Sequence, residues 1–194
     1  MNPQIAELVE KIRSLETELE LEIAKRRTEL QFEIKNRKVV FEADVRRKHA
    51  ELKTRVTRYL AEARPLSVLT APVIYSVIVP LLLLDLFVSV YQAVCFPVYG
   101  IEKVRRRDYL VFDRSKLAYL NFIEKVNCAY CSYGNGLMAY VREITARTEE
   151  YWCPIKHAQR VLAAHARYSE FADYGDAEGY RRLQDKLREK SKGT

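Results

Sequence analysis

The chain has 194 residues, with 33 lysines and arginines against 26 acids and a net charge of +7. The cations are spread through segments that also carry acids, so no concentrated basic stripe could follow a nucleic-acid backbone, and we expect no nucleic-acid partner. Four cysteines in a chain of this length do not indicate a disulfide scaffold, and we expect them to face a reducing compartment.

The N-terminal segment, residues 1–64, contains no glycine and a single proline at position 3, and its apolar residues recur every eleven positions. Eleven residues make three helical turns at about 3.67 residues per turn, so the apolar stripe winds slowly in the right-handed sense. We predict one long helix that forms a right-handed coiled coil, most simply in a parallel homo-oligomer. The alternative is a helix that packs on its own chain. The predicted contact positions are Leu8, Ile12, Leu19, Ile23, Leu30, Ile34, Phe41, Val45, Leu52 and Val56.

The next segment, residues 65–101, is mostly apolar and contains one charged side chain, that of Asp85. A helix needs about 20 apolar residues to cross a bilayer, so the segment predicts membrane insertion and lipid as a partner. Basic residues flank it on both sides, which favours a helical hairpin bent near Pro80; the alternative is one kinked, tilted helix. We expect the bacterial inner membrane, with the C-terminal part facing the cytoplasm.

Asp85 is the ionisable residue of this apolar segment, and Gln92 follows it. A charge at the centre of a bilayer costs on the order of 2.5–3.5 kcal/mol, so Asp85 is expected to face protein, water or a cation. Two interpretations stay open. Asp85 could form an ion or proton site in an oligomer, or it could be a hydrogen-bonded residue that joins helices, with Tyr91 or Gln92 as a neighbour.

Residues 102–172 are predicted to form a small helical module, and residues 173–194 a loop with a charged helix and tail. A first helix begins near Ser115 and carries two cysteines at its end. Glycine and asparagine within 132–136 predict a turn. A second helix then covers 137–150, and a third begins at Pro154, because proline suits the first turn of a helix.

Four side chains in this module have the spacing of a metal site: Cys128 and Cys131 as C-x2-C, then Cys153 and His157 as C-x3-H. Three thiolates and one imidazole are a standard structural zinc set, so zinc is the predicted cofactor. Iron or an iron–sulfur cluster, a redox-active thiol pair and buried thiols are the alternatives. The C-x2-C-x-Y-G stretch resembles the metal knuckle of rubredoxins and zinc ribbons, and C-x3-H is similar to the end of the Cys3His iron–sulfur motif of the NEET family.

No P-loop, dinucleotide glycine pattern, HExxH motif or nucleophile elbow is present, so the sequence does not favour an enzyme. The predicted function is a membrane-anchored, homo-oligomeric scaffold with a Cys3His site. The alternatives are a membrane-bound redox or electron-transfer protein with iron at the cysteines, and an oligomeric channel or transporter that uses Asp85. Subunit number, membrane topology, metal identity and physiological role stay open at this point.

Overall fold

The computed structural model describes residues 3–29, 32–35, 38–41 and 43–192, and most of them are helical, as predicted. Two short strands, β1 (Phe32–Lys35) and β2 (Lys38–Phe41), form an antiparallel pair. The helices are α1 (Pro3–Glu29), α2 (Ala43–Glu51), α3 (Val56–Glu62), α4 (Pro65–Ser76), α5 (Ile78–Tyr99), α6 (Phe122–Trp152) and α7 (Ala177–Lys192).

Two compact units make up the chain. Unit 1 comprises residues Met1–Ile12, Leu82–Tyr109 and Leu137–Thr194, and unit 2 comprises Arg13–Leu81 and Leu110–Gly136. The buried core of unit 1 is built from α5, α6 and the segments that follow them, with Phe96, Leu137, Tyr140 and Ile144 among its most enclosed side chains.

The N-terminal segment does not form the single helix that its eleven-residue pattern predicts. α1 ends at Glu29, and β1 pairs with β2 in a register that joins Phe32 to Phe41 and Lys35 to Lys38. The strands are rich in β-branched and aromatic residues, which favour a pleated conformation over a helix. Apolar residues at these positions fit both the eleven-residue count and a strand, so the count alone could not separate the two structures.

The apolar segment is a kinked helical run, Pro65–Tyr99, long and apolar enough to cross a membrane. α4 ends at Ser76, and Val77 keeps helical torsion angles (φ −62°, ψ −17°) before α5 begins. Pro80 explains the break, because proline lacks an N–H group and its ring crowds the carbonyl of the fourth residue before it, here Ser76. One helical residue cannot reverse the chain, so the structure has the kinked helix and not the predicted hairpin at Pro80.

α6 is a single helix of 31 residues where the sequence predicted two helices and a turn. It begins at Phe122 with a reciprocal cap: the Glu124 N–H donates to Asn121 Oδ1 (3.0 Å), and the Asn121 N–H donates to Glu124 Oε2 (2.8 Å). The turn predicted at 132–136 is wrong. A Cβ placed on Gly134 would lie 3.6 Å from Leu81 Cδ1, so this glycine sits where a neighbouring side chain packs closely on the helix.

The helix predicted to begin at Pro154 is also absent, and a short parallel bridge joins Ile155 to Ala172 instead. The Ala172 N–H donates to Pro154 O (2.9 Å), and the Lys156 N–H donates to Ala172 O (2.8 Å). These bonds hold residues 154–156 in an extended conformation, so proline here precedes no helix. The charged C-terminal helix is confirmed as α7.

Two glycine-to-alanine substitutions test the backbone, one within α6 at Gly134 and one directly after α5 at Gly100. Gly134→Ala should raise the free energy of unfolding by about 0.5–1 kcal/mol, because alanine is the better helix former and its methyl group fits beside Leu81. Gly100→Ala should lower it by about 1–2 kcal/mol, because Gly100 has a φ of +64°. Thermal or denaturant unfolding in detergent measures both changes. If Gly134→Ala instead lowered the free energy of unfolding, that result would contradict a continuous helix at Gly134 and favour the turn predicted at 132–136.

Candidate functional site

One face of α5 carries large apolar side chains that touch little of the protein. In unit 1 their exposed fractions run from 51% at Leu83 to 76% at Val98, and they recur every three or four residues. This set is called the outer face below, and it consists of Leu82, Leu83, Leu86, Phe87, Val90, Val94 and Val98. Since residues three and four apart share one side of a helix, the outer face is continuous along α5.

The opposite side of α5, called the inner face, contains the buried polar residues Asp85 and Gln92 together with Phe96. The Gln92 amide bonds at both ends: Nε2 donates to the Tyr140 hydroxyl (2.8 Å), and Oε1 accepts from the backbone N–H of Val104 (2.6 Å). A helix of a water-soluble protein turns its apolar stripe inward and its polar residues outward. α5 has the reverse arrangement.

Asp85 makes an ion pair with Arg106, which belongs to the segment that follows α5. Arg106 donates from Nε to Oδ1 (3.3 Å) and from Nη2 to Oδ2 (2.5 Å), and the Ser89 hydroxyl also donates to Oδ1 (3.3 Å). The Asp85 side chain is 12% exposed and that of Arg106 is 50% exposed. A guanidinium that meets both carboxylate oxygens is a strong and directional partner, and it supplies the cation that an acid in an apolar run needs.

Three aromatic rings gather where α5 and α6 end. Tyr99 stacks on Tyr151 with ring centroids 5.3 Å apart and meets Trp152 edge-on at 5.4 Å. Trp152 is half exposed. Tyrosine and tryptophan combine an apolar ring with a polar tip, which is why they are enriched where a membrane meets water.

A cluster of paired charges holds the last part of α6 against the segment 165–170. Glu143 accepts from Arg147 Nε (2.8 Å) and Arg167 Nη2 (3.2 Å), and Arg167 Nη1 donates to Glu150 (2.7 Å). Burial acts to raise the pKa of Glu143, but the hydrogen bonds from Arg147 and Arg167 outweigh it and hold that pKa below its ordinary value. The stability from this cluster is therefore present above the unfolded-state pKa of a glutamate and is lost as the pH falls through the lowered pKa.

The four predicted metal ligands are divided between the two units. Cys128 and Cys131 lie one turn apart on the part of α6 that belongs to unit 2, and Cys153 follows the last residue of that helix, in unit 1. His157 lies beyond it, with its ring stacked on Tyr168. Within the described part of the chain, no three His, Cys, Asp or Glu side chains are grouped as metal ligands. Zinc, and the iron alternatives, stay predictions.

The predicted oligomerisation residues are spread over several elements. Leu8, Ile12, Leu19 and Ile23 share α1, where all four are exposed. The others are distributed along the segment that follows: Ile34 in β1, Phe41 in β2, Val45 in α2, Leu52 just after α2 and Val56 in α3. Leu30 lies outside the described residues. Among the described residues, four of the predicted positions therefore share one helix, α1.

Sequence analysis missed Arg106, Tyr140 and the Val104 N–H as partners of the polar residues in α5. Arg106 belongs to a basic run that the sequence marks only as a flank of the apolar segment. No local pattern joins positions 21 and 48 residues apart, such as Asp85 with Arg106 and Gln92 with Tyr140. The need of a buried carboxylate for a cation could have suggested a nearby arginine, but not which one.

Known proteins give no guide to this arrangement. No family model matches the chain, and no curated protein or solved structure matches it either. The function is therefore inferred from the side-chain geometry, and above all from the polarity of α5.

Tyr140→Phe tests the buried polar contact. It removes the acceptor of Gln92 Nε2 at a position where Tyr140 is 2% exposed, so it should lower the free energy of unfolding by about 1–3 kcal/mol. Tyr130→Phe on the same helix is the matched control, because its hydroxyl donates to Ile74 O at an exposed site (2.7 Å), and it should cost less than about 0.5 kcal/mol. Equal costs would mean that the Gln92–Tyr140 bond does not stabilise the fold.

Proposed function

We propose that the protein is a membrane-attached structural protein that places the outer face of α5 in lipid and gathers copies of itself through α1. The observation that carries the first part is the reversed polarity of α5. Its polar residues Asp85 and Gln92 are buried and bonded, and its large apolar residues are exposed. Lipid rather than water is the environment that this distribution suits.

The size of the exposed apolar surface supports the same proposal. Moving a leucine, valine or phenylalanine side chain out of water is worth about 1.5–3 kcal/mol. The seven side chains of the outer face together favour lipid over water by on the order of 10 kcal/mol, if each is transferred. That free energy is enough to attach a protein of this size to a bilayer, and α4 extends the apolar run further.

Self-association is proposed through the apolar stripe of α1. Leu8, Ile12, Leu15, Leu19 and Ile23 are spaced by three or four residues, and each is 44–61% exposed. Charged residues cover much of the remaining helix surface, and α1 is about 40 Å long. A second copy of the same helix offers a matching stripe, so a coiled coil would bury both at once.

The other functions have less support. Asp85 is bound by Arg106 and Ser89 of its own chain, which gives no observation in favour of an ion path through an oligomer. The helix between Cys131 and Cys153 likewise gives none in favour of an iron centre made from all four predicted ligands. The scaffold proposal rests instead on surfaces that the structure describes directly.

Charged substitutions on the outer face test attachment to lipid. Leu83→Glu combined with Phe87→Glu should reduce binding to phospholipid vesicles more than tenfold, because each carboxylate opposes insertion and about 1.4 kcal/mol already corresponds to a factor of ten. Vesicle flotation of the purified full chain measures the bound fraction.

The matched control is Leu162→Glu combined with Tyr174→Glu, which changes two exposed apolar residues of the C-terminal part (79% and 70% exposed) and should leave binding unchanged. If the α5 variant floats as well as the wild type, the outer face does not contact lipid and the proposal fails.

The α1 stripe is tested by Ile12→Asp combined with Leu19→Asp, which places two charges on the proposed contact. The variant should be monomeric in mild detergent where the wild type is oligomeric, as measured by native mass spectrometry. Thr17→Asp, on the same helix but off the stripe, is the control and should keep the wild-type mass. A wild-type chain that is itself monomeric would remove the scaffold role and leave membrane attachment standing.

A further inference from the structure

The segment that follows α5, residues 100–109, turns back along the inner face; it is called the return segment below. Gly100 adopts a φ of +64°, and the Ile101 N–H donates to Phe96 O (2.9 Å), which is the bond pattern of a glycine-terminated helix end. The Val104 N–H then reaches Gln92 Oε1 (2.6 Å), and Arg106 reaches Asp85. Successive contacts at Phe96, Gln92 and Asp85 show that the return segment runs antiparallel to α5.

This path places a dense set of charges beside the middle of α5. Asp85 lies about 21 Å along the helix axis from Tyr99, at about 1.5 Å per residue. Lys103, Arg105 and Arg107 belong to the same return segment as Arg106, and their side chains are exposed. The sequence order alone would place these cations beyond the end of α5. In the structure they belong to a segment that lies beside the helix instead.

A membrane-spanning α5 is incompatible with this packing. The hydrocarbon core is about 30 Å thick, so a spanning helix with Tyr99 at one interface would carry Asp85 and the return segment into hydrocarbon. Each exposed cation there would disfavour insertion by roughly a hundredfold. The charged side chains of α6 add to this, because Tyr91 bonds to Thr148 and Tyr99 stacks on Tyr151 along the same side of α5.

We infer that α5 lies in the plane of a single leaflet, with its outer face among the acyl chains and its inner face, return segment and α6 toward water. The inference rests on the proposed membrane attachment and states its geometry. A helix whose apolar half enters the boundary between headgroups and acyl chains is buried by only about 5–10 Å, which leaves every charge of the return segment hydrated. α4 has 12 residues and is too short to cross a bilayer by itself.

The in-plane orientation also indicates the partner. The cations of the return segment lie on the water-facing side of the leaflet, since α5 does not cross it. Lys103 and Arg105 are two of these cations, and both have exposed side chains. Such cations attract the phosphate groups of anionic lipids, so the partner is the surface of a leaflet that contains anionic phospholipid.

Tryptophan depth measurement tests the orientation. Trp152 is the single tryptophan of the chain, so a Trp152→Phe background allows one reporter at a time. Val90→Trp and Val98→Trp are eight residues apart on the outer face, about 12 Å along the axis. In a spanning helix with Tyr99 at one interface, the first would lie near the bilayer centre and the second near that interface. In vesicles with 30% anionic phospholipid and bromine at defined acyl positions, an in-plane helix should place both reporters at the same depth, within about 3 Å. Leu162→Trp, in the C-terminal part, is the control and should not be quenched.

The outcomes separate the two proposals. A depth difference near 12 Å between Val90→Trp and Val98→Trp would show a spanning helix and overturn the in-plane inference, while attachment to the membrane would stand. No quenching at either outer-face position would overturn the attachment itself.

Proteolysis of the wild-type chain is a second test of the orientation. It is needed if circular dichroism shows that a tryptophan variant has lost helix. Trypsin added to the chain bound outside sealed vesicles should cleave within 103–107, because an in-plane α5 leaves the return segment in water; protection of 103–107 would contradict the inference.

Discussion

The ion pair between Arg106 and Asp85 and the bond from the Val104 N–H to Gln92 hold the return segment against α5. The arrangement of polar and apolar surface in unit 1 depends on these two contacts. Both contacts place a donor of the return segment against a polar side chain of an otherwise apolar helix. Neither Asp85 nor Gln92 could be buried without such a partner, because an unpaired polar group or charge in an apolar setting is costly. The same two contacts account for the division of α5 into a polar inner and an apolar outer face.

That division links the local chemistry to the proposed role. The inner face is covered by the return segment and by α6, which bring hydroxyl and guanidinium partners, while the outer face is left to the surroundings. An apolar surface of this extent favours lipid, whereas the charges on the other side favour water. The proposed position at the boundary of a membrane satisfies both demands, and Tyr99, Tyr151 and Trp152 provide rings of the kind enriched at such a boundary.

Local sequence patterns predicted the structure where a single property of the residues, such as hydrophobicity or charge, was enough to determine it. The apolar run and the need of Asp85 for a cation both follow from properties of single residues, whereas the flanking charges favoured a hairpin near Pro80 where the structure has one interrupted helical run. The patterns failed where two structures satisfy the same spacing, as at Ile34 and Phe41, or where packing overrides propensity, as at Gly134. The cysteine spacing assumed a turn after Cys131, whereas α6 continues from Phe122 to Trp152, and the metal site stays a prediction.

Composition and nearest-neighbour spacing are enough to predict that the chain is helical, that residues 65–99 are apolar enough for a membrane and that the acid within them requires a partner. Only the three-dimensional contacts show which arginine pairs with Asp85, which face of α5 is exposed and which way the chain runs after Gly100. These depend on contacts between residues far apart in the chain. Such contacts produce no periodic pattern in the sequence, because the folding of the chain brings the partners together and their spacing along the chain does not.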